Sequence, residues 1–399
     1  MSASVHVVNA GVISAIGNNL AENIRSFENH RSGIGAIQFL ETRHHHVFPL
    51  GEVKLSNSEL AANCGLPEYL SRTILLSFTA AREALSVLMN RELENFRTGF
   101  ISASTVGGMD KTEFFYRDFN SDPMAGDLRQ VMHHDNGKPT DYVAKELGLK
   151  GFVTTISTAC SSSANAIMLG SRMIRAGKLD IVVAGGVDAL TRFTLNGFNT
   201  LMIVDKNQCR PLDESREGLN LGEGAAYLIL MSDEALKKTG LQSWCNVSGY
   251  CNANDSHHQT ALSDDGNGPY LAMKGALEMA QIQPSDIDYI NMHGTGTKNN
   301  DSAEGKAVER IFHPHYPKLS STKSFTGHTL GASGGIEAAY SAIALRDGLI
   351  YPNFTYSQPV SGLHIVPETK FIKGQQMNHV LSNSFGFGGN CTSLVFSSL

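Results

Sequence analysis

The chain has 399 residues, 41% of them hydrophobic and 18% charged, with a formal net charge of −6. This is the profile of a soluble globular enzyme, and no block of Lys and Arg is present to track phosphates, which excludes a general polyanion binder. The opening stretch MSASVHVVNAGVISAIGNN lacks the features of a signal peptide, and no apolar run reaches transmembrane length.

In chain order, Val5–Val8 reads as a short strand followed by a glycine-containing turn. GFVTTIST (151–158) is β-rich and leads into Cys160. Beyond it Ala164, Ile167, Met168, Ser171 and Ile174 recur at helical spacing, and Gly177 stops the pattern. DIVVAGGVDA (180–189) is a continuous apolar run of the kind found in buried parallel strands. Together these make a βαβ unit with Cys160 at the helix start.

The polar segment SDEALKKTGLQSWCN (232–246) is the expected boundary between two halves, 1–245 and 246–399. In the second half, DIDYINMHGTGTKNND ends a strand at His293. KLSSTKSFTGHTLGASGGIEAAYSAIALRDG follows, with Lys323 and His328 in a loop before a helix from about Gly335 to Arg346. HVLSNSFGFGGNCTSLVFSSL closes the chain as two strands around a glycine-rich turn. The polar residues of interest all lie where strands pass into loops, the edge at which open α/β sheets bind ligands.

A thiol at a helix N-terminus gains stabilisation of its thiolate from the free N–H groups and helix dipole. Free cysteine is equally common as a small core residue, so the segment alone leaves Cys160 undecided. His293 and His328 weigh in favour of chemistry, because each sits among small residues (MHGTGT and FTGHTLGASGG) rather than packing bulk. One cysteine and two loop histidines suit a thioester intermediate and two donors to a carbonyl oxygen. The tracts His44–His46, His133–His134 and His257–His258 read as solvated loop histidines, and no metal site is expected. Cys64, Cys160, Cys209, Cys245, Cys251 and Cys391 lack CxxC spacing and disulfide-scaffold density, which suits a reducing cytoplasm.

TACSSS around Cys160, HGTGT…ND…E from His293 to Glu304, KSFTGH from Lys323 to His328, NSFGFGGN near the end and RPLDESREGLNLGEGAA (210–226) occur in one order. In that order, over almost the whole chain, they resemble the elongating β-ketoacyl-acyl-carrier-protein synthases of the thiolase-like superfamily. The resemblance implies an α/β thiolase-like fold, two βαβ-rich halves in a five-layer αβαβα arrangement. It implies a decarboxylating Claisen condensation, with Cys160 as nucleophile and His293 and His328 as donors to the malonyl thioester oxygen. Lys323 would support the site electrostatically, paired with Glu304 through a buried network. The N–H groups of Cys160 and Phe387 would form an oxyanion hole, with Phe387 gating the acyl pocket and Phe385 beside it. Thr295 and Thr297 would bind the pantetheine arm, and Val106 would narrow the acyl pocket. No cofactor is implied beyond the phosphopantetheine that an acyl carrier protein delivers. The expected assembly is a homodimer, or a heterodimer with a related ketosynthase-like subunit.

Glu217 and Leu219 in REGL, and Lys298 and Asn299 in HGTGTKNND, depart from the common pattern and point towards a specialised polyene or polyketide enzyme as much as a fatty-acid elongase. A rival reading is a serine hydrolase, since GASGG (331–335) fits a nucleophile elbow at Ser333, with Asp347 and His379 downstream. It leaves Cys160 and His293 idle. A cysteine peptidase has no matching local signature. An inactive chain-length-factor subunit is disfavoured because Cys160 is present.

Overall fold

A computed structural model of the chain describes residues 4–89 and 93–399. The first half runs β1 (His6–Ser14), α1 (Leu20–Glu28), α2 (Asn57–Cys64), α3 (Arg72–Leu85), β2 (Thr98–Ala103), α4 (Met109–Ser121) and α5 (Gly137–Glu146). It continues through β3 (Phe152–Ile156), α6 (Ser162–Arg175), β4 (Ile181–Asp188), α7 (Arg192–Thr200), β5 (Gly224–Met231) and α8 (Asp233–Thr239). Then come β6 (Cys245–Asn254), α9 (Asn267–Ala280), β7 (Tyr289–Asn291), α10 (Lys298–Phe312) and β8 (Lys318–Ser320). The short α11 (Lys323–Thr326), α12 (Ser333–Asp347), β9 (His379–Gly386) and β10 (Asn390–Ser397) complete it.

The strands are ordered β3-β2-β4-β5-β1-β6-β10-β9-β7-β8. Each half repeats one scheme, two parallel pairings at its outer side and two antiparallel pairings inward. The β4 run expected to be parallel is so towards β2 and antiparallel towards β5. The halves meet where β1 pairs β6 at His6↔Asn246 and Val7↔Cys245.

Alternation along the strands feeds separate cores. Val182, Leu228, Leu230 and Leu394 face a central core containing α6 and α12. Val183 and Ile229 face α3, and Leu381 and Val395 face α9 and α10. Three helical layers thus enclose two sheet layers, the αβαβα arrangement expected. Helix α12 lies between the sheets and is buried continuously from Ser333 to Leu345, which explains why it has no solvent-facing polar stripe and is not amphipathic.

Two boundaries differ from expectation. Gly11 is not a turn but mid-strand, because β1 lies against α3 so closely that a Cβ at Gly11 would stand 2.1 Å from the Ala80 oxygen. Helix α12 begins at Ser333, two residues before the expected start.

Candidate active site

Four loops at strand ends converge on one point: β3–α6 brings Cys160, β7–α10 His293, β8–α12 Lys323 and His328, and β9–β10 Phe387. The Cys160 Sγ and one ring nitrogen from each histidine lie within 4.8 Å of one another. Among the described residues no other group of three Cys, His, Asp or Glu side chains converges in this way. The two rings stand nearly perpendicular, at 88°, with centroids 5.3 Å apart.

The bend before Cys160 places Ala159 in the left-handed region, φ 54, a conformation costly for a residue with a Cβ. Ser162 holds it, accepting the Thr158 N–H at 2.7 Å and donating to the Ala159 oxygen at 2.6 Å. The run of serines after Cys160 therefore locks a loop. Helix α6 begins two residues beyond the cysteine, and the expected thiolate stabilisation is overridden. Burial pushes the thiol up to about 11, while the Lys323 charge and the Phe387 N–H on the sulfur pull the other way. The resting group is a thiol.

Both histidines are neutral and held in one tautomer. Burial, and then the Lys323 charge, keeps each well below the usual imidazole range. The Lys323 ammonium lies 3.3 Å from His293 Nδ1 and donates to the His293 carbonyl at 2.6 Å. An ammonium can only donate, so His293 Nδ1 accepts and its proton sits on Nε2. Leu330 N–H donates to His328 Nδ1 at 3.1 Å, giving the same tautomer. Two Nε2–H donors result, and the adjacent ammonium favours a developing anion over a metal cation.

The expected pairing of Lys323 with Glu304 is corrected. The buried lysine pairs with Glu337 on α12, a residue the sequence disguises inside the apolar run GGIEAAY. Burial pushes the Glu337 carboxyl up to about 7, against the pull of Lys323. Glu304 instead shapes the loop, accepting the N–H groups of His293 and Gly294 at 2.8 Å each and the Asn383 amide at 3.0 Å. Burial raises Glu304 to about 7 as well. Asp301 accepts the Thr295 N–H at 2.9 Å, and Gly296, at φ 84, lets the loop pass where a Cβ would come 2.7 Å from the Gly218 oxygen.

A cavity of about 310 Å³ opens onto this cluster. Thr295, Thr297, Phe385 and Phe387 line it, with Leu219, Glu217, Lys298 and Asn299 from the departing motifs. The Thr295 and Thr297 hydroxyls lie 2.9 Å apart. Phe385 packs on His293, centroids 5.8 Å apart. Phe387 stacks on Phe198 at 5.6 Å and 18°. Phe198 was not legible in the sequence, since it lies on α7, whose pattern signals only a helix.

Val106 is not brought to this cavity. It is buried against Leu190, Leu195 and Leu330, and its N–H is held by Asp188 at 3.0 Å. Ser333 also lies away from the lining residues, donating to Glu337 at 3.3 Å. Asp347 ends the same helix, and His379 bonds Ser397 at 2.8 Å. No hydrolase triad forms. Cys391 is buried beside Phe385 and Leu262, a core residue as expected.

Comparisons with known proteins agree with this geometry. Residues 3–235 match the family description "Beta-ketoacyl synthase, N-terminal domain", and residues 244–357 match "Beta-ketoacyl synthase, C-terminal domain". The chain is 32% identical to "3-oxoacyl-[acyl-carrier-protein] synthase 2" of Staphylococcus aureus (strain MRSA252), covering 99% of each chain. Among solved structures it is similar to "The ishigamide ketosynthase/chain length factor", with TM-score 0.93, 27% identity and full coverage of both chains. It is also similar to "Ketosynthase (ApeO) in Complex with its Chain Length Factor (ApeC) from Xenorhabdus doucetiae", with TM-score 0.87 and 28% identity over 100% of this chain and 98% of the other. With both family domains matched and a full-length relative above 30% identity, the chain belongs to the beta-ketoacyl synthase family.

Proposed function

We propose that the protein elongates a fatty-acyl, polyene or polyketide chain by two carbons, using acyl and malonyl groups carried on an acyl carrier protein. The observation that carries this reading is the convergence of one thiol and a ring nitrogen from each of two neutral histidines within 4.8 Å. In the first half-reaction the Cys160 sulfur attacks the acyl thioester carbonyl. The pantetheine sulfur leaves and takes the proton that the Cys160 thiol gives up, and the acyl group remains on Cys160. In the second, the bond between the malonyl α-carbon and its carboxylate breaks and CO₂ departs. The electron pair is held as an enolate whose oxygen is met by His293 and His328. Its carbon attacks the acyl carbonyl, a C–C bond forms, and the Cys160 thiolate leaves.

The N–H groups of Cys160 and Phe387 suit the acyl oxygen during both attacks. Lys323 acts through His293 as a positioning residue, fixing its tautomer. Thr295 and Thr297 suit hydrogen bonding to the arm in the cavity mouth. In this reading residues 1–245 supply the nucleophile and 246–399 the two histidines. No helix among the described residues is long and apolar enough to cross a membrane, and all six cysteines are free. The free thiols support a cytoplasmic setting. The protein works with a second ketosynthase-like chain, itself or a relative. Helix α4 buries none of its residues in the single chain and leaves Tyr116 and Phe119 exposed.

The test is intact-protein mass spectrometry after incubation with a panel of acyl-carrier-protein thioesters. An acyl increment mapped to Cys160 and absent in Cys160→Ala is expected. An adduct that survives in Cys160→Ala would overturn the assignment.

A further inference from the structure

The departure Lys298–Asn299 in the HGTGTKNND motif finds a use in the fold. Residues 255–266, between β6 and α9, form a loop without regular structure, exposed from Ser256 to Thr260. Yet Thr260, Ala261 and Leu262 line the cavity together with Thr295 and Thr297. Asn299, in the first turn of α10, grips this wall by both ends of its amide. Its Oδ1 accepts the Leu262 N–H at 2.8 Å, and its Nδ2 donates to the Leu262 oxygen at 3.0 Å. Further along α10, Lys306 donates to the Asp264 oxygen at 2.8 Å and Arg310 to the Asp265 oxygen at 2.9 Å. Positions 299, 306 and 310 share one helix face, and of the three only Asn299 reaches the cavity.

We propose that Asn299 is a positioning residue that holds the Thr260–Leu262 wall and so sets the bore through which the carrier-bound thioester reaches Cys160. The proposal rests on the condensing reading given above. Two backbone hydrogen bonds from one side chain fix both the distance and the rotation of the Leu262 peptide, as a strand partner would. The wall has other holds: the Gly388 N–H donates to the Gln259 oxygen at 2.7 Å, the Thr260 N–H to His258 Nδ1 at 3.2 Å and the Ser263 N–H to Asp255 Oδ2 at 2.8 Å. The Leu262 side chain packs with Phe385 and Cys391, but only Asn299 bonds the Leu262 peptide on both sides. The reacting groups are held separately. His293 is fixed through Glu304 and Lys323, and His328 donates its N–H to the Asn220 oxygen at 2.7 Å. Loosening the wall therefore alters access while leaving the Cys160–histidine geometry in place.

The experiment compares wild type, Asn299→Ala and Asn299→Asp by amide hydrogen exchange of the peptide containing Leu262 and by steady-state kinetics with malonyl-acyl-carrier protein. Asn299→Ala is expected to lose about 10-fold in Leu262 protection and to raise KM about 10-fold, with kcat held within about 2-fold. Asn299→Asp keeps the acceptor, loses the donor and should fall between. Unchanged Leu262 exchange in Asn299→Ala, or a fall in kcat at unchanged KM, overturns the proposal. Failure of the condensing reading is distinguishable. It would appear as absent turnover in the wild type, and the exchange result would still decide whether Asn299 holds the wall.

Discussion

At the scale of single residues, reactivity is set by a contest between burial and nearby charge. For Cys160 burial wins, and its thiol stands at about 11. Iodoacetamide alkylation of the free enzyme should therefore rise about tenfold per pH unit from about pH 7 to about pH 10. A rate already flat near pH 8 would contradict the raised thiol. The histidines give the opposite sign. Both are held well below 6.5, so neither imidazole takes up a proton as pH falls from about 8 to about 6.5, whereas Glu304 and Glu337, at about 7, do. Malonyl decarboxylation should stay level from about pH 9 to about pH 8, and a fall centred near pH 7 would report protonation of Glu304 and Glu337 rather than of the histidines. Cys160→Gln should retain it and lose condensation, because both Nε2–H donors remain; a folded variant inert in both would remove the donor role. The convergent trio of Cys160, His293 and His328 was legible because cysteine and histidine stood out among residues too small for packing. Glu337 was not, because a carboxylate flanked by Ile336, Ala338 and Ala339 reads as one polar position on an ordinary helix. Its role exists only through Lys323, a contact 14 residues distant in sequence.

At the scale of elements, α12 shows how function constrains packing. A helix buried on every side carries an acid because Lys323 reaches it from α11. Removing one partner leaves a buried charge alone, so Glu337→Gln and Lys323→Met should each cost about 3–5 kcal/mol in denaturant unfolding. The double variant Lys323→Met with Glu337→Met should be more stable than either single variant. Additive losses would show that the two groups do not interact. Strands were legible as apolar runs ended by glycine-rich loops, and helices as periodic ones. Gly11 misled because glycine marks both turns and close approaches, and which applies depends on α3, 69 residues further along at Ala80. Val106 lies outside the lining of this cavity, since a motif locates a residue along a loop without saying which cavity its side chain meets.

At the scale of the whole molecule, the repeated strand scheme was only faintly legible, as a shared βαβ rhythm, because pairing order follows from contacts between distant segments. The join of the halves is narrow in backbone hydrogen bonds, two residue pairs between β1 and β6. It is broad in side-chain packing, through α6 and α12, where the Gly335 N–H donates to Ser163 Oγ at 2.7 Å. Fragments 1–240 and 241–399, divided at the glycine that ends α8, should reassemble on co-expression and recover acylation of Cys160. Fragments that fold but stay apart would argue that the join depends on chain continuity. The Cys160 sulfur belongs to one side of this join and both imidazoles to the other, so the reacting trio is an interface inside a single chain. Catalysis then serves as a gauge of alignment. Gentle heating that lets the halves slide by an ångström or two should silence the enzyme while circular dichroism still records intact helices and strands.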